Sequence, residues 1–119
     1  ASLMKILTLT NEVSFDRASI ETLVKQLDQL EKDKVSYDKS TAAPLKGISE
    51  KYGELFSRIR TLYSEIGDYI GPWSHDQKEQ YNYYLSMKDN LKLERDQVLK
   101  NTLPKINKGL KKDKQLKLD

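Results

Sequence analysis

The feature that most constrains the fold is a stripe of apolar residues in the middle of the chain. Its members recur at intervals of three and four residues: Leu45, Ile48, Tyr52, Leu55, Ile59, Leu62, Ile66 and Tyr69. This spacing follows the 3.6-residue period of an α-helix and places all of these side chains on one face. Phe56, Tyr63 and Ile70 widen the stripe enough to face two neighbours. The stripe therefore predicts a helix over about residues 42–70 that packs against two other elements.

Two further stripes predict these other elements. The first stripe comprises Ile6, Leu9, Val13, Asp16, Ile20, Leu23, Leu27 and Leu30, and it predicts a helix over about 3–34. The last stripe comprises Tyr81, Tyr84, Leu85, Met87, Leu91, Val98, Leu99, Leu103, Ile106 and Leu110, and it predicts a helix over about 75–110. Pro104 cannot donate a hydrogen bond to the carbonyl of Lys100, so we expect the third helix to be kinked there.

The connections between the helices carry recognisable start and stop signals. Before the second helix, Ser40 or Thr41 is the expected N-cap, because a side-chain oxygen there accepts a bond from a free amide of the first turn. The dipeptide Gly71-Pro72 is expected to end that helix. Ser74 and Gln77 have the spacing of a capping box and predict where the third helix begins.

Length and composition complete the prediction of an all-α fold. The 119 residues suffice for one domain, which we expect to occupy residues 1–112, followed by a lysine-rich tail over 113–119. Short connections make neighbouring helices antiparallel, so the sequence predicts an elongated up-down-up three-helix bundle. A coiled-coil dimer of long hairpins is the alternative at the level of fold, although the breadth of the second stripe favours a third helix within one chain.

The charge distribution argues against nucleic acid as a partner. The net charge is +3, and six lysines lie within residues 105–119. The four arginines do not form a basic stripe of the kind that contacts phosphates. A lysine-rich end with few apolar residues is typically a frayed, solvated tail. No run of 18 apolar residues is present, so we expect no membrane span.

The residues required for familiar catalytic and metal sites are scarce. The chain has no cysteine, and its one histidine, His75, is expected to be an exposed residue in the first turn of the predicted third helix. The glycine-rich phosphate loop, the nucleophile elbow and the di-iron Glu-x-x-His pattern are all missing from the sequence. We therefore expect a protein that is not an enzyme and that binds no metal or cofactor.

Charged residues interrupt two of the apolar stripes. Asp16 occupies a stripe position in the first helix, and Glu94 and Arg95 interrupt the third. The first and third helices of an up-down-up bundle run parallel, which places Asp16 and Arg95 at similar heights. One interpretation is an Asp16–Arg95 ion pair that fixes the register of the helices. The alternative is that both side chains reach solvent at the edge of the bundle.

Aromatic residues concentrate around the second connection. Six of them lie within 22 residues: Tyr63, Tyr69, Trp73, Tyr81, Tyr83 and Tyr84. One interpretation is that they close this end of the bundle beneath Gly71-Pro72. The other is that they contact a partner domain or a glycan, since tyrosine and tryptophan suit surfaces that are partly buried and partly wet. The predicted contact residues are Tyr69, Trp73, Tyr81, Tyr83 and Tyr84, with Trp73 and Tyr83 expected to be the most exposed.

Two segments give the chain a resemblance to a known family. Leu103-Pro104-Lys105-Ile106-Asn107 matches a leucine–proline–x–hydrophobic–asparagine element, and Gly71-Pro72-Trp73-Ser74-His75-Asp76-Gln77 stands at the turn into the last helix. In these features residues 3–110 resemble the helical C-terminal region of secreted bacterial proteins that carry a sortilin-like β-propeller of BNR repeats. The propeller's Asp-box residues are absent from this sequence, so no catalytic residue carries over.

The resemblance implies a non-catalytic appendage of a larger exported protein, in the periplasm or outside the cell. Its partner would then be the parent propeller domain or a second copy of the chain. Because the sequence starts at Ala1 rather than methionine, we expect a piece of a longer gene product. The alternative hypothesis is a free-standing small helical binding protein of the immunity or chaperone type.

Overall fold

A computed structural model describes residues 2–67 and 71–118 of the chain. Three long helices account for most of it: α1 (Ser2–Lys32), α2 (Lys39–Gly67) and α3 (His75–Lys108). A single 3₁₀ turn follows at Lys112–Lys114. Residues 2–67 and 71–118 contain no β-strand. The predicted all-α class is therefore confirmed.

The three helices form an elongated up-down-up bundle. Near the first connection, the ammonium of Lys46 on α2 lies 3.4 Å from a carboxylate oxygen of Glu31 on α1. Further along α2, Lys51 lies 3.2 Å from Glu94 on α3. Short connections join the helices, and the bundle is about as long as one helix, so α2 runs antiparallel to both of its neighbours; the two ion pairs fit this arrangement. The bundle measures 57 × 24 × 23 Å, as expected for helices of this length.

The apolar stripes of α1 and α2 form the core. Every apolar member of the α1 stripe is at most 5% exposed. The members of the α2 stripe from Leu45 to Ile66 are at most 4% exposed. Tyr69 and Ile70, the last residues of the predicted stripe, lie outside the described residues.

The α3 stripe is buried less completely than the other two. Only Leu91 and Ile106 among its described members within the helix are buried, and most of the others are half-buried against the core. The cause is the position of α2, which contacts both neighbours extensively, whereas α1 and α3 contact each other much less. An open groove therefore runs between α1 and α3. Pro104, where the sequence predicts a kink, lies inside α3.

The first connection differs in detail from the prediction. Helix α1 ends at Lys32, and Lys34 adopts a positive φ of 57° in the turn that follows. The N-cap of α2 is Asp38 rather than Ser40 or Thr41. Its Oδ1 accepts hydrogen bonds from the backbone amides of Ser40 and Thr41, at 3.0 and 3.3 Å. Both hydroxyls also donate to this carboxylate, so the whole segment serves one cap and α2 begins at Lys39.

The second connection has the predicted signals. Gly71 has a φ of 148°, a conformation that favours glycine. Ser74 caps α3 with a complete capping box, in which the Gln77 amide donates to Ser74 Oγ at 3.1 Å. The Ser74 amide donates in return to Gln77 Oε1 at 3.0 Å. This reciprocal pair fixes the start of α3 at His75.

The C-terminal tail is docked on the bundle, which corrects the expectation of a frayed extension. Leu116 of the tail is 3% exposed and belongs to the hydrophobic core, as does Leu110, at 8% exposure, in the segment before the tail. The side chains of Gln26 on α1 and Asn107 on α3 hydrogen-bond the backbone of the tail. Burial of two leucines and pairing of the backbone outweigh the solvation of the lysines, whose flexible side chains keep their charges in water.

Candidate functional site

One level of the bundle brings together polar side chains from all three helices. The structure places the predicted pair close together: Arg95 Nη1 on α3 lies 3.6 Å from Asp16 Oδ1 on α1. The same nitrogen donates a hydrogen bond of 2.9 Å to the backbone carbonyl of Asp16. Arg95 also binds the carboxylate of Asp96, through Nε at 3.1 Å and Nη2 at 2.8 Å. The guanidinium thus joins α1 mainly through a main-chain oxygen, with the Asp16 carboxylate slightly further away.

Burial gives this contact its energetic significance. Asp16 is 7% exposed and is the only charged residue that is buried within the described parts of the chain. A carboxylate removed from water is costly unless a donor or a cation faces it. The guanidinium of Arg95 supplies both the hydrogen-bond donor and the positive charge. Its side chain spans the gap between α1 and α3 and is only 15% exposed. We call Asp16, Tyr52 and Arg95 together the polar layer.

Tyr52 is the α2 member of the polar layer, and the sequence did not single it out. The side chain is fully buried, and its hydroxyl has no hydrogen-bond partner among the described residues. Burial raises the pKa of Tyr52 to about 12, with small opposing effects from Arg95 and Asp16. The phenol therefore stays protonated near neutral pH and is unsuited to act as a base or a nucleophile. A tyrosine in an apolar stripe looks like an ordinary core residue. The one signal for the polar layer is that Tyr52 lies at the same height in the bundle as Asp16 and Arg95, the charged residues that interrupt the other two stripes.

The aromatic residues at the second connection are more buried than the partner-contact interpretation requires. Trp73 is 9% exposed, and its ring packs edge-to-face against Tyr81 at 5.2 Å between centroids. The expectation that Trp73 is an exposed contact residue is wrong. The indole lies beside Lys5 of α1 and Tyr81 of α3, where burial of a large ring is favourable. Its Nε1 finds no acceptor within the described parts of the chain.

The remaining predicted contact residues differ in exposure. Tyr83 is 56% exposed and lies 6.0 Å from Tyr84 between ring centroids, whereas Tyr84 is half-buried against the core. Tyr81 is half-buried under Trp73. Tyr69 lies outside the described residues. Tyr83 is thus the one described member of the predicted surface that projects well into solvent.

The most exposed large apolar residues lie elsewhere, on the solvent-facing sides of α1 and α3. Phe15 is 81% exposed, Leu93 65% and Met4 64%. We call these three residues the Phe15 surface. Phe15 lines the groove on its α1 side, opposite Lys88 and Lys92 of α3. Sequence reasoning missed this surface, although a large apolar residue placed off the stripe, as Phe15 is, was a signal that could have found it.

Two contacts show that Phe15 and Leu93 lie at the same height. Lys88 hydrogen-bonds Glu12, which raises the pKa of Lys88, and Arg95 contacts Asp16. Phe15 lies between the two α1 residues in sequence, and Leu93 lies between the two α3 residues. Because α1 and α3 run parallel, the two exposed apolar side chains lie at the same height, Phe15 in the lining of the groove and Leu93 outside that lining, on the outer face of α3. Met4 precedes Phe15 by three helical turns and lies on the same face of α1.

The described residues offer no metal centre. Within 2–67 and 71–118, no group of three or more histidine, aspartate and glutamate side chains is arranged to hold a metal ion. The side chain of His75 is 83% exposed, and its Nε2 lies 3.0 Å from a carboxylate oxygen of Glu79. No helix in the described parts of the chain is long and apolar enough to cross a membrane.

Comparison of the chain with protein-family models, with curated proteins and with solved structures gives no match. The resemblance to the helical region of sortilin-like propeller proteins therefore stays a prediction.

Proposed function

We propose that this chain is a non-catalytic helical module that binds another protein surface through the Phe15 surface. The observation that supports this is the exposure of Phe15, at 81% in the middle of a long helix. Isolated exposed apolar residues are common, but grouped ones mark interaction sites. Here a second large apolar side chain, Leu93 of α3, lies at the same height as Phe15, outside the lining of the groove, and is 65% exposed.

The chemistry of the surroundings suits a protein partner. The groove beside Phe15 is lined by both acidic and basic side chains, including Glu12, Asp89 and Lys92. An apolar centre with a mixed, solvated rim is the usual composition of a protein–protein interface. The polar layer beneath it would hold α1 and α3 in the register that forms this surface. A catalytic role for the polar layer is disfavoured, because the phenol of Tyr52 stays protonated.

The proposed partner is the remainder of a larger exported protein, or a second copy of the chain. This part of the proposal rests on the resemblance of residues 103–107 and 71–77 to the helical region that follows an exported propeller. The proposed location is accordingly the periplasm or the cell exterior.

The first experiment is an immunoblot of source cells separated into cytoplasmic and exported fractions. A band well above 13.8 kDa in the exported fraction is expected for an appended module. A band at 13.8 kDa in the cytoplasm would contradict the appended module and favour the free-standing binding protein. A second copy is tested separately, by sedimentation equilibrium of the purified chain.

Mutation of the surface then locates the contact. The double substitution Phe15→Ser with Leu93→Ser is expected to weaken association at least tenfold, while the melting temperature changes by only a few degrees because both side chains are exposed. Leu7→Ser is the matched control, since Leu7 lies on α1 at 41% exposure away from the groove. Tyr83→Ser tests the aromatic end. If Tyr83→Ser weakens association more than the double variant, the contact lies there and the Phe15 surface is wrong.

A further inference from the structure

The tail is held by two amide side chains that bind its main chain. Asn107 Oδ1 accepts a hydrogen bond from the amide of Leu116 at 2.7 Å, and Asn107 Nδ2 donates to the carbonyl of Leu116 at 3.0 Å. Gln26 binds the next residue in the same way. Its Oε1 accepts from the amide of Lys117 at 2.8 Å, and its Nε2 donates to the carbonyl of Lys117 at 2.8 Å.

This arrangement matches the geometry of an extended strand. Successive residues of an extended chain direct their amide and carbonyl groups to opposite edges. Asn107 on α3 therefore binds one edge of the tail, and Gln26 on α1 binds the other. Each amide side chain offers one donor and one acceptor side by side, as a neighbouring strand would. The two side chains therefore hydrogen-bond the tail from both edges, Asn107 at Leu116 and Gln26 at Lys117.

A single side chain anchors the segment. Leu116 is 3% exposed within the hydrophobic core, whereas Leu118 is 42% exposed and Lys117 is exposed. Gln115 adds a contact with the end of α3, because its Nε2 donates to the carbonyl of Asn107 at 3.1 Å. Recognition thus depends on an extended backbone and one leucine, with a small contribution from the residue before it.

We propose that Gln26 and Asn107 form a binding site for an extended peptide segment with a leucine anchor, occupied in this chain by its own residues 115–118. A free segment of the same kind binds there when the chain's own tail is displaced. The proposal also gives Asn107 a role: it closes the Leu-Pro-x-hydrophobic-Asn element, in which Ile106 supplies a core side chain at 4% exposure. This site lies apart from the Phe15 surface and does not depend on the proposed function.

The test uses the full chain with its tail released by Leu116→Asp, because a carboxylate is disfavoured in the apolar pocket. A synthetic peptide of residues 111–118 is titrated into the ¹⁵N-labelled protein, and the side-chain amide signals of Gln26 and Asn107 are followed by NMR. Saturable shifts of both signals are expected. Apparent binding to the unmodified chain is expected to be at least tenfold weaker, because a tethered tail competes at an effective concentration of about a millimolar.

Two controls isolate the main-chain contacts. A peptide N-methylated at the nitrogen corresponding to Lys117 lacks the donor to Gln26 and is expected to bind at least tenfold more weakly. Gln26→Ala in the released chain is expected to have the same effect. Gln29→Ala is not, since the Gln29 side chain donates to Asp33, just after the end of α1, and makes no bond to the described residues of the tail. Equal binding to the released and unmodified chains, or the absence of shifts at Gln26 and Asn107 up to several millimolar peptide, would overturn the proposal.

Hydrogen exchange of the otherwise unmodified chain provides a measurement that does not depend on Leu116→Asp folding. Gln26→Ala is expected to accelerate exchange of the Lys117 amide about tenfold, with a smaller effect on the Leu116 amide, which Asn107 still binds. Gln29→Ala is expected to change neither. Unprotected Leu116 and Lys117 amides in the starting protein would contradict the site itself.

Discussion

Replacing Tyr52 with phenylalanine is expected to stabilise the bundle, although most substitutions of a fully buried residue destabilise it. The hydroxyl of Tyr52 has no partner among the described residues, while the ring is fully buried in the hydrophobic core. A buried polar group without a hydrogen bond costs about 1–3 kcal/mol relative to its solvated state. Phenylalanine keeps the ring and removes the unpaired group. We expect the free energy of unfolding at pH 7 to rise by about 1 kcal/mol.

The same substitution is expected to change the response to alkali. The pKa of Tyr52 is about 12 in the folded chain, against an ordinary value of 10.0, because burial disfavours the phenolate. As the pH rises above 10, the unfolded chain loses this proton before the folded chain does. The contribution of the protonated Tyr52 to the free energy of unfolding is therefore fully present below pH 10 and is lost progressively between pH 10 and 12. The advantage of Tyr52→Phe is expected to grow by about 1 kcal/mol at pH 11 and by about 2 kcal/mol at pH 12.

Urea unfolding followed by circular dichroism at pH 7 and pH 11 measures both effects, and a rise of about 4 °C in melting temperature accompanies each kcal/mol. Tyr37→Phe is the matched control, since the Tyr37 hydroxyl donates to Glu31 at 2.7 Å. Its loss is expected to lower stability at pH 7 by about 0.5–1 kcal/mol. A Tyr52→Phe variant that is less stable than the starting protein by 1 kcal/mol or more would refute the reasoning, because the hydroxyl must then be well bonded.

Three further predictions concern the polar layer and the second connection. Arg95→Leu is expected to lower the free energy of unfolding by about 2–4 kcal/mol in urea melts, because it leaves the Asp16 carboxylate unpaired at 7% exposure; unchanged stability would rule out a role for the pair. Trp73→Ala is expected to cost about 3–5 kcal/mol, and iodide is expected to quench the fluorescence of this single tryptophan poorly. Strong quenching would place the indole in solvent. Ser74→Ala is expected to cost about 1 kcal/mol by removing the capping box, and Ser74→Asn is expected to restore most of it in thermal melts.

The helices and the two-helix core could be predicted because their signal is periodic and local. A spacing of three and four residues reports the buried face of a helix wherever the partner lies, so the stripes of α1 and α2 identify the buried residues directly. Asp16 and Arg95 could be singled out for the converse reason, since a charge in such a stripe needs a partner. Tyr52 could not, because a tyrosine satisfies the apolar pattern whether or not its hydroxyl is bonded.

The burial of Trp73 and of the tail depends on contacts between distant parts of the sequence. Trp73 lies in a connection with no periodicity, so its burial depends on how the helix ends meet. Leu116 is an isolated apolar residue among lysines, and composition alone indicates a solvated tail. The bonds that hold the tail link Lys117 to Gln26, 91 residues earlier in the chain. No local pattern encodes a pairing at that separation.

The odd number of helices has a mechanical consequence. Ser2 and the tail lie at opposite ends of a bundle 57 Å long, so a force that pulls them apart acts along the helix axes. Helices α1 and α3 would then slide in opposite directions past α2, and all the packed side chains of an interface would be loaded together. An even-numbered bundle with short connections has both ends on the same side and can be unzipped one turn at a time. Stretching between these two ends would therefore load the bundle in shear, and Arg95 bridges the two helices that would move furthest relative to each other.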